Sequence, residues 1–143
     1  MTQEDKELLI KDLSARLPYG VKISKVVENW TSDPHPIRSI NLNNIIVEDG
    51  EFEDGTPDID VWNYEEIKPY LFPLSSITPE QEEELSKLGV SYGEYALHDD
   101  IRGLGIMVDE AYIFFEFCYK HHIDFLGLIE MGLAIDATDK NIY

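Results

Sequence analysis

Residues 108–134 read VDEAYIFFEFCYKHHIDFLGLIEMGLA, and we expect the fold to be organised around this stretch. Its apolar residues recur at the spacing of one α-helical face: Ala111, Phe114, Phe115 and Cys118. Neighbouring aromatic residues widen this face, and a helix that is apolar nearly all round is usually buried. The run is too short and too charged to cross a membrane, which takes roughly 20 apolar residues. We therefore predict a buried central helix.

A second helix is predicted directly after the first. Asp124 can act as its N-cap, and its apolar stripe would consist of Phe125, Leu128 and Ile129. Gly132 fits the left-handed position that follows a helix end, with Leu133 folding back toward Leu128. Residues 121–124 (His-His-Ile-Asp) would then form the turn between the two helices.

The beginning of the chain predicts an amphipathic helix over residues 2–17. Thr2 caps this helix, Asp5 completes a capping box, and Pro18 cannot continue the helix. Its apolar stripe has helical spacing and consists of Leu9, Ile10, Leu13 and Leu17.

Short strands are predicted after this helix, with a short helical turn over 65–74 closing the sheet. The strands are expected at 21–27, 37–42, 45–48 and 59–63. A phase slip at Ser24-Lys25 predicts a bulge in the first strand, and Asn43-Asn44 predicts a tight hairpin between the second and third. Short, curved strands at this density favour a small SH3-like barrel.

Residues 78–88 predict a surface helix, with Thr78 as its cap and Pro79 at its first position. Residues 90–107 favour a loop or a small hairpin. The predicted fold class is therefore α+β, with an N-terminal helix, a small curved antiparallel sheet of the SH3-like barrel type, and a helical C-terminal part. We expect a unit over 1–76 with a helical unit over 77–143 packed on it.

Charge is distributed unevenly along the 143 residues, whose formal net charge is −18. Residues 1–47 hold as many basic as acidic side chains, so the whole excess lies in residues 48–143. Such a surface repels nucleic acid and anionic lipid and favours a protein partner that is basic or itself binds nucleic acid. A single cysteine and an N-terminus without the layout of a signal peptide predict a cytoplasmic protein.

Two acidic segments are the predicted partner-binding surfaces. Residues 48–60 hold seven carboxylates in 13 residues, and Gly50 and Gly55 favour a flexible contact loop. The ligand spacing of a calcium loop is absent there. The second surface is the outer face of the 78–88 helix. The carboxylates expected to contact a partner are Glu48, Asp49, Glu51, Glu53, Asp54, Asp58, Glu82, Glu83 and Glu84.

We predict no metal, cofactor or catalytic centre. His121, His122 and Asp124 are the weak candidates for a metal site, because zinc needs converging ligands and adjacent helical histidines point about 100° apart. His98-Asp99-Asp100 would contribute only if the fold brought it close. Ser75-Ser76 lies outside any nucleophile elbow, and no glycine-rich phosphate loop is present.

Three phrases of the sequence carry a resemblance. They are KDLSARLPYGVK at 11–22, IKPYLFPLSS at 67–76 and HHIDFLGLIEMGLA at 121–134. Together they resemble a group of short, uncharacterised proteins encoded by prophages and mobile elements of gut bacteria. In that group the last phrase begins more like HHFDYRGLI, so the arginine of that pattern is missing here. The resemblance implies a phage-borne accessory protein in a bacterial cytoplasm, and it implies no activity, ligand or site residue.

The sequence thus favours a non-enzymatic, acidic accessory protein that acts by protein–protein interaction. One alternative is a DNA-mimicking inhibitor of a host nucleic-acid-binding protein, since the acidic surface resembles a row of phosphates in its charge. A second alternative is a small barrel that binds nucleic acid directly through Lys22, Lys25, Arg38 and Trp30, although the acidic half opposes such binding. An enzyme or metal protein is the third alternative.

Overall fold

The computed structural model describes residues 1–90 and 108–143, with the side chains of the last helix from residue 111 onward. The helices are α1 (Gln3–Arg16), α2 (Pro79–Lys87) and α3 (Val108–Lys120). The strands are β1 (Lys22–Val27), β2 (Trp30–Thr31), β3 (His35–Ile40), β4 (Asn44–Glu51), β5 (Pro57–Asn63), β6 (Ile67–Pro73), β7 (Ile123–Asp124) and β8 (Ile135–Asp136). These elements confirm the α+β class and the N-terminal helix.

The predicted loop or hairpin over 90–107 lies, apart from Val90, outside the described residues, and so does His98-Asp99-Asp100. Among the residues that the structure describes, no helix combines the length and the apolar content that spanning a bilayer requires.

Helix α1 forms where the capping pattern predicts it. The Thr2 hydroxyl accepts from the Asp5 backbone N–H at 3.1 Å, and the Asp5 carboxylate accepts from the Thr2 N–H at 2.8 Å. These bonds satisfy two of the free N–H groups at the helix start. Leu9 and Leu13 are fully buried in a cluster with residues of the sheet, so α1 packs its apolar stripe against the strands.

The strands form one sheet in the order β5-β4-β3-β1-β6-β7, in which β2 pairs with β1 and β8 pairs with β6. The neighbours from β5 to β6 are antiparallel, whereas β7 and β8 run parallel to β6. The sheet is open, and the predicted closed SH3-like barrel is not confirmed. A barrel would need its two edge strands to pair with each other. Here the far side of β6 is occupied by strands from the C-terminal part.

The predicted hairpin between β3 and β4 is confirmed, but its turn residues are Leu42-Asn43: the Asn41 N–H donates to the Asn44 carbonyl at 2.9 Å, and Asn44 already belongs to β4. Neither Asn43 nor Asn44 has the left-handed conformation that the prediction assumes. The predicted bulge at Ser24-Lys25 is wrong. There β1 keeps an unbroken register with β6, and it changes its partner on the other side from β3 to β2. The register shifts lie between Ile37 and Ser39 in β3 and between Glu48 and Glu51 in β4.

The prediction of a helical turn over 65–74 is wrong for most of its length. Only Tyr64–Glu66 and Leu74–Ser76 are 3₁₀ turns, and the residues between them form β6, an interior strand of the sheet. Ile67, Tyr70 and Leu71 are buried on it. A strand covered on both faces has a continuous apolar run instead of an alternating one, and periodicity cannot separate such a run from a helix.

The prediction of a second helix in the C-terminal part is also wrong, although the cap at Asp124 and the left-handed stop at Gly132 are both present. Asp124 lies in β7, and its carboxylate accepts from the backbone N–H groups of Leu128 and Ile129 at 2.9 and 2.8 Å. Gly132 has a φ of +72°, and the Leu133 N–H donates to the Leu128 carbonyl as in a Schellman motif. Cap and stop signals therefore enclose a single turn.

Helix α3 confirms the predicted central helix. Phe114, Phe117 and Cys118 are buried in one cluster with Leu85 of α2, whereas Tyr112 is exposed. Phe115 is only half-buried, and its ring stacks on that of Phe125 with 4.9 Å between centroids. Helix α2 also confirms its prediction, with a complete capping box between Thr78 and Gln81.

A buried ion pair joins α1 to the end of α3. The side chains of Arg16 and Asp12 are both 0% exposed, and the guanidinium donates twice to the Asp12 carboxylate at 2.8 and 3.0 Å. It also donates to the carbonyls of Cys118 and Ile123 at 3.1 and 2.8 Å. Removing one partner of such a pair leaves a buried charge without compensation.

We expect Arg16→Met to lower the free energy of unfolding by about 3–5 kcal/mol, because it leaves the Asp12 carboxylate buried and unpaired. Urea denaturation measures this change. The double variant Asp12→Leu/Arg16→Met should recover part of the loss, since no buried charge then remains. Lys11→Met, which removes an exposed neighbouring charge, should stay within about 0.5 kcal/mol. An Arg16→Met protein as stable as Lys11→Met would contradict this role of the pair.

Candidate functional site

The acidic segment 48–60 is the end of a long hairpin formed by β4 and β5. Its turn is ordered by several bonds: the Phe52 N–H donates to the Thr56 carbonyl, and the Gly55 N–H donates to the Phe52 carbonyl, both at 2.8 Å. The Asp54 carboxylate accepts from the N–H and the hydroxyl of Thr56 at 3.0 and 2.6 Å. These bonds lower the pKa of Asp54. The segment is therefore a structured acidic hairpin, with Gly55 at a φ of +79°.

The two faces of this hairpin differ. Ile45 pairs with Trp62 on the face that enters the core, and both side chains are buried. Ile59 and Val61 lie on the opposite face and are exposed, as is Phe52 at the turn. The hairpin thus presents apolar side chains to solvent on the strand face opposite Asp58 and Asp60, and exposed apolar patches are common on protein-binding surfaces.

A groove of about 400 Å³ opens at the edge of the core, on the face of the sheet that carries Trp62. Three elements contribute to it: the β1–β2 hairpin with the segment after it, the start of β3, and the acidic hairpin. Its principal lining residues are Trp30, Asp33, His35, Asp49, Asp60 and Trp62. We call it the tryptophan groove. Trp30 is 57% exposed at the turn between β1 and β2, whereas Trp62 is 3% exposed.

Trp62 and its neighbours form a rigid part of the groove. The Trp62 indole N–H donates to the Asp60 carboxylate at 2.6 Å, and the Val61 N–H donates to the other carboxylate oxygen at 2.8 Å. These two bonds hold the pKa of Asp60 below its usual value, so the group stays ionised at neutral pH. The His35 ring meets the Trp62 ring edge-on, with 5.2 Å between centroids.

The remaining charges in the groove are unequal. The His35 Nδ1 lies 3.3 Å from the Asp49 carboxylate, and the Lys25 ammonium, which also lines the groove, lies 3.3 Å from that of Glu66. The Asp33 carboxylate has no hydrogen-bond or ion-pair partner among residues 1–90 and 108–143. Carboxylates therefore outnumber the cations that face them.

The acidic face of α2 is partly used inside the protein. Glu84 accepts from the Lys120 ammonium at 2.8 Å, and its other oxygen lies 2.9 Å from the His121 Nε2. This bridge ties α2 to the end of α3, and the Lys120 bond contributes most to lowering the pKa of Glu84. Glu83 pairs with Lys87, whereas Glu82 is exposed. Of the three α2 carboxylates predicted to contact a partner, Glu82 alone lacks an internal ion pair in the described residues.

The predicted metal candidates point to different places. His121 contacts Glu84, and both oxygens of Asp124 accept from backbone N–H groups. The His122 ring is buried and stacks on that of Tyr143, with 3.9 Å between centroids. In the described part of the chain, no group of three histidine, cysteine or acidic side chains could hold a metal ion. The Cys118 thiol is buried, which raises its pKa and disfavours the thiolate.

Of the predicted partner residues, Asp49 lies in the groove. The other predicted residues of this segment lie on the hairpin beside it: Glu48, Glu51, Glu53, Asp54 and Asp58. Sequence reasoning missed the groove itself, which depends on Asp33, His35, Asp60 and Trp62. The one available signal was Trp30, an exposed aromatic residue, which we assigned to a nucleic-acid-binding face.

The cations of that nucleic-acid hypothesis all have partners within the protein. Lys22 donates to the Ile142 carbonyl at 2.8 Å, Lys25 faces Glu66, and Arg38 pairs with Glu48 at 3.1 Å. Backbone phosphates are bound through cations that are not already compensated. Lys25 and Arg38 are therefore compensated by carboxylates, whereas the neutral carbonyl that accepts from Lys22 leaves the charge of that ammonium uncompensated.

No protein-family model matches the chain, and neither a curated protein nor a solved structure shows significant similarity to it. A functional proposal for this chain therefore depends on the geometry of the acidic hairpin and the tryptophan groove.

We expect acid to destabilise the protein through His122. Burial, with the nearby Arg16 charge, lowers the pKa of His122 to about 4, from 6.5 for an unperturbed histidine. The folded state therefore resists a proton that the unfolded chain accepts. The contribution of His122 to the free energy of unfolding is fully present above about pH 6.5. It decreases by roughly 2–3 kcal/mol as the pH falls toward 4.

Urea denaturation between pH 7 and pH 4 measures this loss. His122→Asn is the matched control, because asparagine tolerates the left-handed φ of +55° at this position and does not titrate. The free energies of unfolding of the two proteins should converge as the pH falls. Parallel curves for the two proteins would exclude His122 as the titrating group.

Proposed function

We propose that the protein is a non-enzymatic binding protein that captures a basic protein partner on its acidic hairpin and tryptophan groove. The resemblance described above adds that it serves as an accessory factor of a phage or mobile element in the cytoplasm of a bacterial host. The observation that carries the proposal is the structured hairpin, which presents the exposed apolar side chains of Ile59 and Val61 on one strand face and the carboxylates of Asp58 and Asp60 on the other.

The order of the hairpin supports a binding role. A flexible loop would lose conformational entropy on binding, whereas a hairpin closed by the bonds around Phe52, Asp54 and Thr56 has already lost it. Ile59 and Val61 add apolar area that a partner can cover, and such area contributes about 25 cal/mol per Å². Shape and apolar contact thus accompany the charge.

Charge supports a basic partner. The net charge of −18 attracts a cationic protein over distances comparable to the Debye length, about 8 Å at physiological ionic strength. This attraction raises the association rate more than the final affinity. The complex should therefore form more slowly in high salt while its apolar contacts persist.

Mimicry of DNA is a less suitable description of this surface. A DNA mimic needs carboxylates at regular intervals along one face. In the hairpin, the strand face that carries Ile59 and Val61 is largely apolar, and its carboxylate opposite Ile59, Glu48, is paired with Arg38. These residues suit a protein surface with its own apolar patch better than a phosphate-binding cleft.

Neutralising the hairpin should abolish partner capture. We expect Glu51→Gln/Glu53→Gln/Asp58→Asn to lose the partner that the wild-type protein retains from host-cell lysate at low salt, as identified by mass spectrometry. The three carboxylates make no side-chain bond among the described residues, so the fold should persist. The direction follows from the loss of charge complementarity.

The matched control is Glu4→Gln/Glu65→Gln/Glu130→Gln, which removes the same charge from exposed positions outside the acidic hairpin and α2. This control should still capture the partner. Equal loss by both triple variants would mean that only net charge matters, and no specific partner for the wild-type protein at either salt concentration would refute the proposal. A captured partner that can no longer bind its DNA would favour the mimicry hypothesis.

A further inference from the structure

We infer that the tryptophan groove binds an arginine side chain presented by an extended, basic segment of the partner. This inference rests on the proposed function, and it names the group that the groove recognises. Three properties of the groove carry it: an exposed indole, carboxylates with free acceptor capacity, and a volume larger than one side chain.

The exposed indole of Trp30 is the first property. It is 57% exposed, and it occupies the β1–β2 turn, where it pairs with Val27 across the hairpin. The face of a tryptophan ring attracts cations, and a guanidinium group can also lie flat on it. Trp62 lines the same groove, and its indole N–H is already bonded to Asp60.

The carboxylates are the second property. Asp33 has no partner within residues 1–90 and 108–143, and Asp49 binds His35 through one of its oxygens. Both oxygens of Asp60 accept a hydrogen bond, yet each retains a second lone pair. A guanidinium group has five N–H donors in a planar array, so it can satisfy several of these acceptors at once.

The cation that the groove already contains is shared with a carboxylate outside it. Among the described residues, Lys25 is the one lysine or arginine that lines the groove, and its ammonium faces Glu66 at 3.3 Å. His35 faces Asp49. Even with His35 protonated, three carboxylates face two cations, and one of those two is partly compensated by Glu66. An incoming positive charge therefore lowers the repulsion among Asp33, Asp49 and Asp60.

Volume is the third property, and it favours an extended segment over a free cation. About 400 Å³ lies within the range of small-ligand sites, which begins at roughly 300 Å³. An arginine side chain with the adjoining backbone fits this space better than a bare ion. Lysine would carry the same charge, but its ammonium cannot stack on the indole and bind a carboxylate in two places.

Tryptophan fluorescence provides a direct test, because both tryptophans of the chain line the groove. The probe is the pentapeptide Gly-Gly-Arg-Gly-Gly with acetylated and amidated ends, so that only the side chain is charged. Matched peptides carry lysine or citrulline, the neutral isostere of arginine, in the central position. We expect a saturable fluorescence change with the arginine peptide, binding by the lysine peptide weakened several-fold, and binding by citrulline weakened about tenfold or more.

Variants locate the effect. Trp30→Ala should weaken arginine-peptide binding about tenfold, followed through the remaining Trp62 signal, and Asp33→Asn should weaken it about three- to fivefold. Asp139→Asn removes an equal charge from an exposed position outside the groove and the hairpin, and it should leave binding within about twofold of wild type. Both groove residues are exposed, and thermal melting verifies that the variants remain folded.

Several outcomes would overturn the inference. One is the absence of a saturable signal with the arginine peptide, and another is citrulline binding as tight as arginine binding. An equal loss in Asp139→Asn and Asp33→Asn would assign the effect to net charge. A response to glucose or adenosine, but not to arginine, would assign the groove to a neutral ring-shaped ligand.

The two proposals fail separately. If hairpin-dependent capture from lysate persists while the arginine peptide does not bind, the proposed function stands and the arginine site is wrong. If the arginine peptide binds but no basic protein is captured, the groove is a cation site and the proposed function is wrong. Displacement of a captured partner by excess arginine peptide, but not by citrulline peptide, would support both.

Discussion

The buried guanidinium of Arg16 is the constraint on which the remaining structure depends. Its charge is fully removed from solvent, and such burial is tolerated only when the charge is paired and hydrogen-bonded. Asp12 on the same helix supplies two acceptors, and the carbonyls of Cys118 and Ile123 supply the others. The ring of Tyr119 lies 5.2 Å from the guanidinium carbon and covers the charge further. Because those carbonyls belong to the end of α3 and to β7, the ion pair fixes the first helix against the last part of the chain.

This anchor also supports the candidate site, through α1. Leu9 and Leu13 project from the helix that carries Arg16 into the same apolar cluster as Ile23, Ile45 and Trp62. Trp62 is at once part of this core and part of the groove wall. A shift of α1 would therefore loosen Trp62 and, through its indole N–H, the carboxylate of Asp60. The groove is rigid on the side that faces the core and open where Trp30 lies, and this difference suits a site that holds one group firmly while its partner chain extends outward.

Local signals in the sequence predicted local structure well. The capping boxes at Thr2 and Thr78 began helices where expected, and the β3–β4 hairpin turned one residue before the predicted Asn43-Asn44. Sequence signals gave wrong predictions where contacts with distant segments of the chain determine the secondary structure. Asp124 and Gly132 were recognised as cap and stop, yet the short distance between them permits one turn only, and the flanking residues pair with β6 instead. β6 itself was mistaken for a helical turn because both of its faces are covered. The groove could not be predicted because its residues come from distant parts of the chain. Trp30, Asp33 and His35 belong to one part, and Asp49, Asp60 and Trp62 belong to another.

The position of the groove explains how an acidic surface can be selective. The segment up to residue 47 has no net charge, and it contributes Trp30, Asp33 and His35; the strongly acidic remainder contributes Asp49, Asp60 and Trp62. The two segments therefore build the groove jointly. Long-range attraction by the acidic hairpin acts on any cationic protein and decides mainly how fast it arrives. Selectivity among cationic proteins requires contacts that only one shape of cation can make. In the inferred site, a planar guanidinium group makes such contacts with an indole and the carboxylates beside it. In the proposed function, the charge of the acidic hairpin therefore sets the association rate, and the geometry of the tryptophan groove sets the selectivity.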